Sequence, residues 1–228
     1  MHTRRHAALR VIGTVGLIAG PASLIVTTVI QWVLQSSPNA SGPADVAQAQ
    51  PALWAVAGLL AVLGPAAWIG GMPAVVDLAP NRGWVMTVIG GVVTAFGLAA
   101  GIGHLALFFG LSADLAAAGV GAHAVDAVQG ADDAGLLGTV LLMVFLVAFS
   151  AGPILLALGL RRARSVPVWV PVAAIIMTVA SFAGGIPAGI IQFAALLATF
   201  VPIIVALWRA PRLAADPRRP VIDAVAQA

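Results

Sequence analysis

The segment LLALGLRRARSVPVWVPV, Leu155–Val172, places three arginines between two apolar runs. A guanidinium group stays charged at any physiological pH, and placing it at the centre of a bilayer costs about 2.5 kcal/mol or more. The flanking runs, residues 135–160 and 166–182, contain no charged residue. This pattern predicts two membrane-spanning helices joined by a basic turn at one membrane surface.

The composition of the whole chain supports a membrane protein. Of 228 residues, 61% are hydrophobic and only 8% are charged, whereas soluble domains carry about 25% charged residues. Lipid must therefore surround most of the surface. The chain has no Lys and no Cys. These absences exclude a retinal Schiff base, thiol–disulfide exchange and thiolate metal sites.

Six apolar segments are long enough to suggest membrane spans, since about 20 apolar residues cross a bilayer. The last two would form one helix of about 65 Å if they were continuous, which is twice the bilayer thickness. The sequence AGGIP at Ala183–Pro187 offers the hinge that divides them, because Gly-Gly frees the backbone and Pro suits a helix start. The predicted spans are residues 9–34, 52–78, 84–111, 135–160, 166–182 and 187–208.

The distribution of charge predicts the orientation. With six spans, all 11 arginines fall on one side, and the loops of the other side carry aspartates. The positive-inside rule then places the N-terminal tail, residues 1–8, and the basic C-terminal tail, residues 209–228, in the cytoplasm. We expect an all-α polytopic transmembrane bundle in a bacterial plasma membrane. The basic pI is an orientation signal on this interpretation, and no nucleic-acid partner is expected.

The two long outer connections differ in their expected structure. The loop Gln35–Pro51 is rich in Ser, Pro, Ala and Gln and is expected to be irregular. The loop Ser112–Ala134 has room for a short interfacial helix, broken by its glycines.

Asp77 is a carboxylate at the end of an apolar run. It lies about 37 Å along the predicted second span from Ala52, which places it at the cytoplasmic boundary, where a charge is solvated or pairs with Arg82. The alternative is a coupling acid at a cytoplasmic gate formed by Asp77 and Arg82. Gly70, Gly71 and Pro73 would favour this gate by breaking the helix.

A second candidate site is an outward-facing pocket. Distances along the predicted helices place four uncharged or weakly basic side chains towards the outer leaflet: Gln31, His104, Ser181 and Gln192. They are candidate ligand-lining residues. The alternative is that each one simply stands near water, where a polar group costs little.

Few other residues could bind a cofactor or a metal or take part in catalysis. His104 is the only histidine inside a span, so a bis-histidine haem lacks its second ligand. His123 and Asp126 share a helical face but more simply belong to a solvated acidic loop. The segment AFSAG around Ser150 resembles the serine motif of rhomboid proteases, but span six has no histidine to act as base. No catalytic residue, metal site or cofactor is therefore expected, and an enzyme is not favoured.

The segments RVIGTVGLIAGPASLI, Arg10–Ile25, and LLALGLRRARSVPVWVPV, together with the short final hairpin, resemble the six-span membrane proteins common in actinobacteria. This resemblance implies six helices and assigns no activity. Three functions stay open. The first is a small permease or binding subunit for an apolar or weakly polar molecule. The second is an accessory subunit, packed against a membrane-protein partner or another copy of the chain. The third is a lipid-modifying enzyme. Membrane lipids are expected partners in each case.

Overall fold

The computed structural model describes residues 2–36, 43–79 and 81–214. Throughout these residues the secondary structure is helical, with turns between the helices and no strand. The helices in chain order are α1 His2–Gln35, α2 Pro43–Ala49, α3 Pro51–Val76, α4 Trp84–Ala117, α5 Ala122–Ala134, α6 Leu136–Arg162, α7 Trp169–Ala183 and α8 Gly185–Ala214.

The ends of the helices follow local turn signals. Pro51 opens α3, at a position where its missing N–H costs no hydrogen bond. Gly83 precedes α4 with a φ of 82°, in the left-handed region that glycine adopts without strain. The sequence suggested a helix break at Gly70, Gly71 and Pro73. That suggestion is wrong, because α3 continues through all three residues.

Five helices have the length and hydropathy of a membrane span, as an all-α transmembrane bundle requires. They are Ala7–Gln35, Pro51–Val76, Trp84–Ala117, Leu136–Arg162 and Gly185–Arg209. The predicted fifth span corresponds to α7, an apolar helix of 15 residues, about 22 Å long. This length is short of a hydrocarbon core of about 30 Å, so the sixth span stays a prediction.

The two outer connections both contain helix. The expected irregular loop at Gln35–Pro51 is wrong in part, because the seven-residue α2 lies within it. The loop Ser112–Ala134 contains α5, as the sequence suggested, but α5 passes through Gly130 without a break. The fourth helix also extends to Ala117, beyond its predicted end at residue 111.

The long helices and α7 form a closed ring in chain order, and each is antiparallel to the next. Gly13 near the start of α1 lies against Ala74 near the end of α3, whereas Gly64 of α3 lies against Ser23 further along α1. Contacts between α1 and α8 close the ring.

The short helix α7 lies in the segment that joins the two ends of the bundle. Near its start, the Ser165 hydroxyl donates a hydrogen bond of 2.7 Å to the carbonyl oxygen of Leu78, at the end of the bundle where α3 stops. Beyond its last residue, α8 begins at the opposite end, where Gly189 packs against the ring of Trp32 near the end of α1. The segment from Ser165 to Gly189, which contains α7, therefore leads from one end of the bundle to the other.

Glycine and threonine bring α4 and α6 into close contact. An added Cβ at Gly90 would meet the backbone of Leu156, and one at Gly97 would meet the backbone of Phe149. The α4 residues at this interface recur at alternating spacings of three and four, as in coiled-coil packing. They are Thr87, Gly90, Thr94, Gly97 and Gly101. Small side chains allow helices to approach closely in a membrane, where van der Waals contact drives association.

A fully buried tryptophan lies at the centre of the bundle. The Trp68 ring packs edge-on against Phe149, with a centroid distance of 5.6 Å, and against Phe200 at 4.7 Å. A second, smaller apolar cluster lies at the end of the bundle that carries α2. There the indole N–H of Trp54 donates a 3.0 Å hydrogen bond to the carbonyl oxygen of Phe109.

The described arginines with exposed or half-exposed side chains gather at one end of the bundle. Gly83, next to Arg82, lies against Gly159 and Ala163, and the α6–α7 turn lies at the same level. Gly13 and Leu207 meet there too, close in sequence to Arg10 and Arg209. The aspartates of α2 and α5 lie at the other end, where the Gln48 side chain donates a 2.7 Å hydrogen bond to the Val120 carbonyl oxygen.

Candidate functional site

A small crevice lies where α6, α7 and α8 meet. Its lining residues are Phe149, Ser150, Met177, Thr178, Ser181 and Gln192. The crevice has an empty volume of about 160 Å³ including its open mouth, and the space inside holds about one water molecule. None of its lining residues carries a formal charge.

The polar groups of α7 are held in place by the backbone. The Thr178 hydroxyl donates to the Ala174 carbonyl oxygen at 3.1 Å and lies 3.4 Å from the Ser150 carbonyl oxygen. The Ser181 hydroxyl donates to the Thr178 carbonyl oxygen at 2.7 Å. Both hydroxyl protons are therefore used inside the protein, and only the oxygen lone pairs face the crevice.

Two other polar groups of the crevice have unused hydrogen-bonding capacity. The hydroxyl of Ser150 and the side-chain amide of Gln192 make no hydrogen bond to any other described residue. Both side chains are half-buried. An amide supplies donors and an acceptor, and a hydroxyl supplies one donor and an acceptor. Together they can bind an uncharged polar group.

The structure brings together two of the four predicted pocket residues. Ser181 and Gln192 both line the crevice, whereas Gln31 and His104 do not. Gln31 is half-buried on α1 beside Trp32, whose ring lies 5.4 Å from that of Phe193. His104 is half-buried on α4, next to Gly103, which faces Leu141 of α6. Whether these four residues bind one ligand stays a prediction.

The sequence did not assign two polar residues to the crevice, Ser150 of α6 and Thr178 of α7. Ser150 and Thr178 stand out in the sequence as polar residues inside apolar segments, but their pairing depends on helix neighbours. Two antiparallel helices joined by a short turn bring together residues equally distant from that turn. Applied to the α6–α7 turn, this rule would have placed Ser150 near Ser181, about one helical turn beyond Thr178.

The second candidate site lies at the arginine end. Asp77 caps the C-terminus of α3, and its backbone N–H donates to the Pro73 carbonyl oxygen at 3.3 Å. Asp77 and Arg82 are both exposed in the α3–α4 connection. No ion pair joins these two described side chains, so the cytoplasmic gate stays a prediction without a supporting contact.

Metal ligands are dispersed in the described part of the chain. Among residues 2–36, 43–79 and 81–214, no three His, Asp or Glu side chains lie close enough to hold one ion. His123 and Asp126 are both exposed on α5.

Comparison with known proteins adds no assignment. No protein-family model, curated protein or solved structure matches this chain.

Proposed function

We propose that this chain is an integral membrane protein that crosses a bacterial plasma membrane six times, with both termini in the cytoplasm. Two features support this topology. Five helices have spanning length, and α7 connects the two ends of the bundle. The arginines gather at one end, which the positive-inside rule assigns to the cytoplasm. The crevice at Ser181 and Gln192 then lies towards the outer leaflet.

The protein functions, on this proposal, as a small permease or binding subunit for an apolar or weakly polar molecule. The observation that carries the proposal is the pairing of Ser150 on α6 with Gln192 on α8 in one crevice. Both have unused hydrogen-bonding groups, and apolar side chains flank them. Such pockets, mostly apolar with a few polar groups, are typical of small-molecule sites.

Ligand-dependent thermal stabilisation of the purified protein tests this role. The panel contains water-soluble, uncharged short-chain alcohols, esters and amides. A compound that binds only the folded state raises the free energy of unfolding by about 2.7 kcal/mol at a concentration of 100 times its Kd. We expect Gln192→Ala to abolish this stabilisation.

Gln31→Ala is the matched control, because Gln31 is also a half-buried glutamine near the same end of the bundle but does not line the crevice. It should retain the stabilisation. A response that survives Gln192→Ala, or the absence of any response, would contradict the binding of water-soluble compounds in the crevice. Co-purification of a stoichiometric membrane protein without any ligand response would instead identify an accessory subunit.

A further inference from the structure

The crevice is too small to contain a whole ligand. It holds about one water molecule, so only a group the size of a hydroxyl or a carbonyl fits inside it. The free groups that would meet this polar group are the Gln192 amide and the Ser150 hydroxyl. The rest of any ligand must lie outside the crevice, against the surface that surrounds it.

The short length of α7 opens the crevice sideways. Thr178, which contacts Ser150, is followed by only about 7 Å of helix before α7 ends. On α6, about 21 Å of helix precedes Ser150. The outer part of α6 therefore extends beyond the end of α7, which leaves that side of α6 without an α7 neighbour.

The surface around this opening is apolar. Val147 of α6 is 67% exposed, Phe182 of α7 is 62% exposed and Ile191 of α8 is 53% exposed. Each lies within three residues of a polar lining residue in the sequence. In a membrane these side chains face acyl chains, so a molecule can reach the polar groups from the lipid without crossing water.

We propose that the crevice is a lateral binding site for an uncharged amphiphilic lipid of the outer leaflet. Its hydroxyl or ester carbonyl hydrogen-bonds to Gln192 and Ser150, and its hydrocarbon chain lies along the uncovered side of α6 and the α7–α8 hairpin. The lining contains no cation, so a lipid with a phosphate group finds no counter-charge there. This inference rests on the binding role proposed above and specifies the ligand class.

Photo-crosslinking in phosphatidylcholine vesicles tests the lipid class. The vesicles contain a small fraction of diacylglycerol with a diazirine in one acyl chain, and mass spectrometry locates the crosslinked peptides. We expect labelling to concentrate on residues 143–151 and 182–192, and excess unlabelled diacylglycerol to compete with it. Phosphatidylglycerol, which is anionic, should compete poorly.

Two variants separate specific binding from general contact with lipid. Gln192→Leu should lower the competed labelling about fivefold, as expected for one lost hydrogen bond, while Gln31→Leu should leave it unchanged. Ser150→Ala provides a second, milder change, and circular dichroism checks that each variant is folded. Labelling that is spread over the lipid-facing sides of α1 and α3, or that Gln192→Leu does not alter, would overturn the lipid site.

The two proposals fail separately. If a soluble compound stabilises the protein through Gln192 but diacylglycerol shows no competed labelling, the binding role stands and the lipid class is wrong. If neither experiment gives a response that depends on Gln192, both proposals are wrong.

Discussion

At the scale of single residues, glycine controls how closely α4 approaches α6. An added Cβ at Gly90 would lie 2.7 Å from the Cα of Leu156, and a backbone atom cannot move without separating the helices. Gly110 of the same helix has open space around its Cα. The same substitution should therefore have opposite effects at these two positions.

We predict that Gly90→Ala lowers the free energy of unfolding by about 1–3 kcal/mol, the usual cost of overpacking a tight interface. Gly110→Ala should be neutral or stabilising by up to about 1 kcal/mol, because Ala is the better helix former. Reversible unfolding in mixed micelles, followed by circular dichroism, measures both. Equal effects would mean that α4 and α6 do not touch at Gly90.

Buried threonines provide a second comparison at this scale. The Thr14 hydroxyl is buried without a hydrogen-bond partner, whereas the Thr94 hydroxyl donates to the Gly90 carbonyl oxygen at 2.7 Å. A buried polar atom without a partner costs free energy, and its replacement by an apolar group of the same shape is neutral or stabilising.

Thr14→Val should therefore raise the free energy of unfolding by up to about 1 kcal/mol, and Thr94→Val should lower it by about 0.6–1 kcal/mol. Valine has nearly the same shape as threonine, so packing changes little in either variant. Thermal denaturation in detergent measures the difference. The opposite order of stability would show that Thr14 has a partner and that the Thr94 hydrogen bond contributes nothing.

At the scale of helical elements, the hinge between α7 and α8 sets the geometry of the crevice. Gly184 has a φ of 70° and a ψ of 167°, a region that essentially only glycine adopts. Gly185 follows with a φ of 76°. At these two residues the backbone leaves the right-handed helical region for positive φ, and Ser181 and Gln192 lie on either side of this turn.

Gly184→Ala should lower the free energy of unfolding by about 1–3 kcal/mol, because the alanine Cβ is strained at this φ and ψ. Gly121→Ala is the control, since Gly121 has an ordinary φ of −63° and open space around it. Denaturation in micelles compares the two variants. A Gly184→Ala protein as stable as the control would indicate that the hinge readily adopts another conformation.

The separate elements were largely readable from the sequence. The apolar runs, the AGGIP hinge and the basic turns each correspond to a helix or a helix boundary, because hydropathy and charge are local properties of the chain. The sequence did not indicate α2, whose seven residues are too few to form a periodic pattern. The sequence also suggested that α3 breaks at Gly70. This suggestion is wrong, because a helix tolerates glycine and proline when neighbouring helices pack against it.

At the scale of the whole molecule, the topology depends on which side of the membrane each end of the bundle faces. Because the chain has no cysteine, single cysteines can report the side of each connection. We expect a membrane-impermeant maleimide to label His123→Cys in intact bacterial cells but to leave Asn81→Cys unlabelled until the cells are lysed. His123 and Asn81 are both exposed and lie at opposite ends of the bundle.

Ala228→Cys extends this labelling test to the C-terminal tail, of which residues 215–228 lie outside the described residues. It should also be labelled only after lysis. Labelling of Ala228→Cys in intact cells that leave Asn81→Cys unlabelled would establish an odd number of crossings between these two positions, and the six-span topology would then be wrong.

Only part of the candidate site could be predicted from the sequence. Ser181 and Gln192 were predicted to share a pocket because of their depth along the helices, and both line the crevice. Gln31 and His104 were grouped with them on the same ground, but depth does not specify which way a helix faces, and neither residue lines the crevice. The crevice instead takes Ser150 and Thr178 from the middle of α6 and the last part of α7.

The sequence by itself indicated an apolar helical protein with helices of membrane-spanning length, the approximate position of each long helix and the gathering of the described arginines at one end of the bundle. These follow from hydropathy and charge, which act residue by residue along the chain. Only the tertiary structure decided which helices are neighbours, how closely α4 meets α6 and which polar groups share the crevice. Those features depend on shape complementarity between distant segments, and a linear pattern of apolar residues carries almost none of that information.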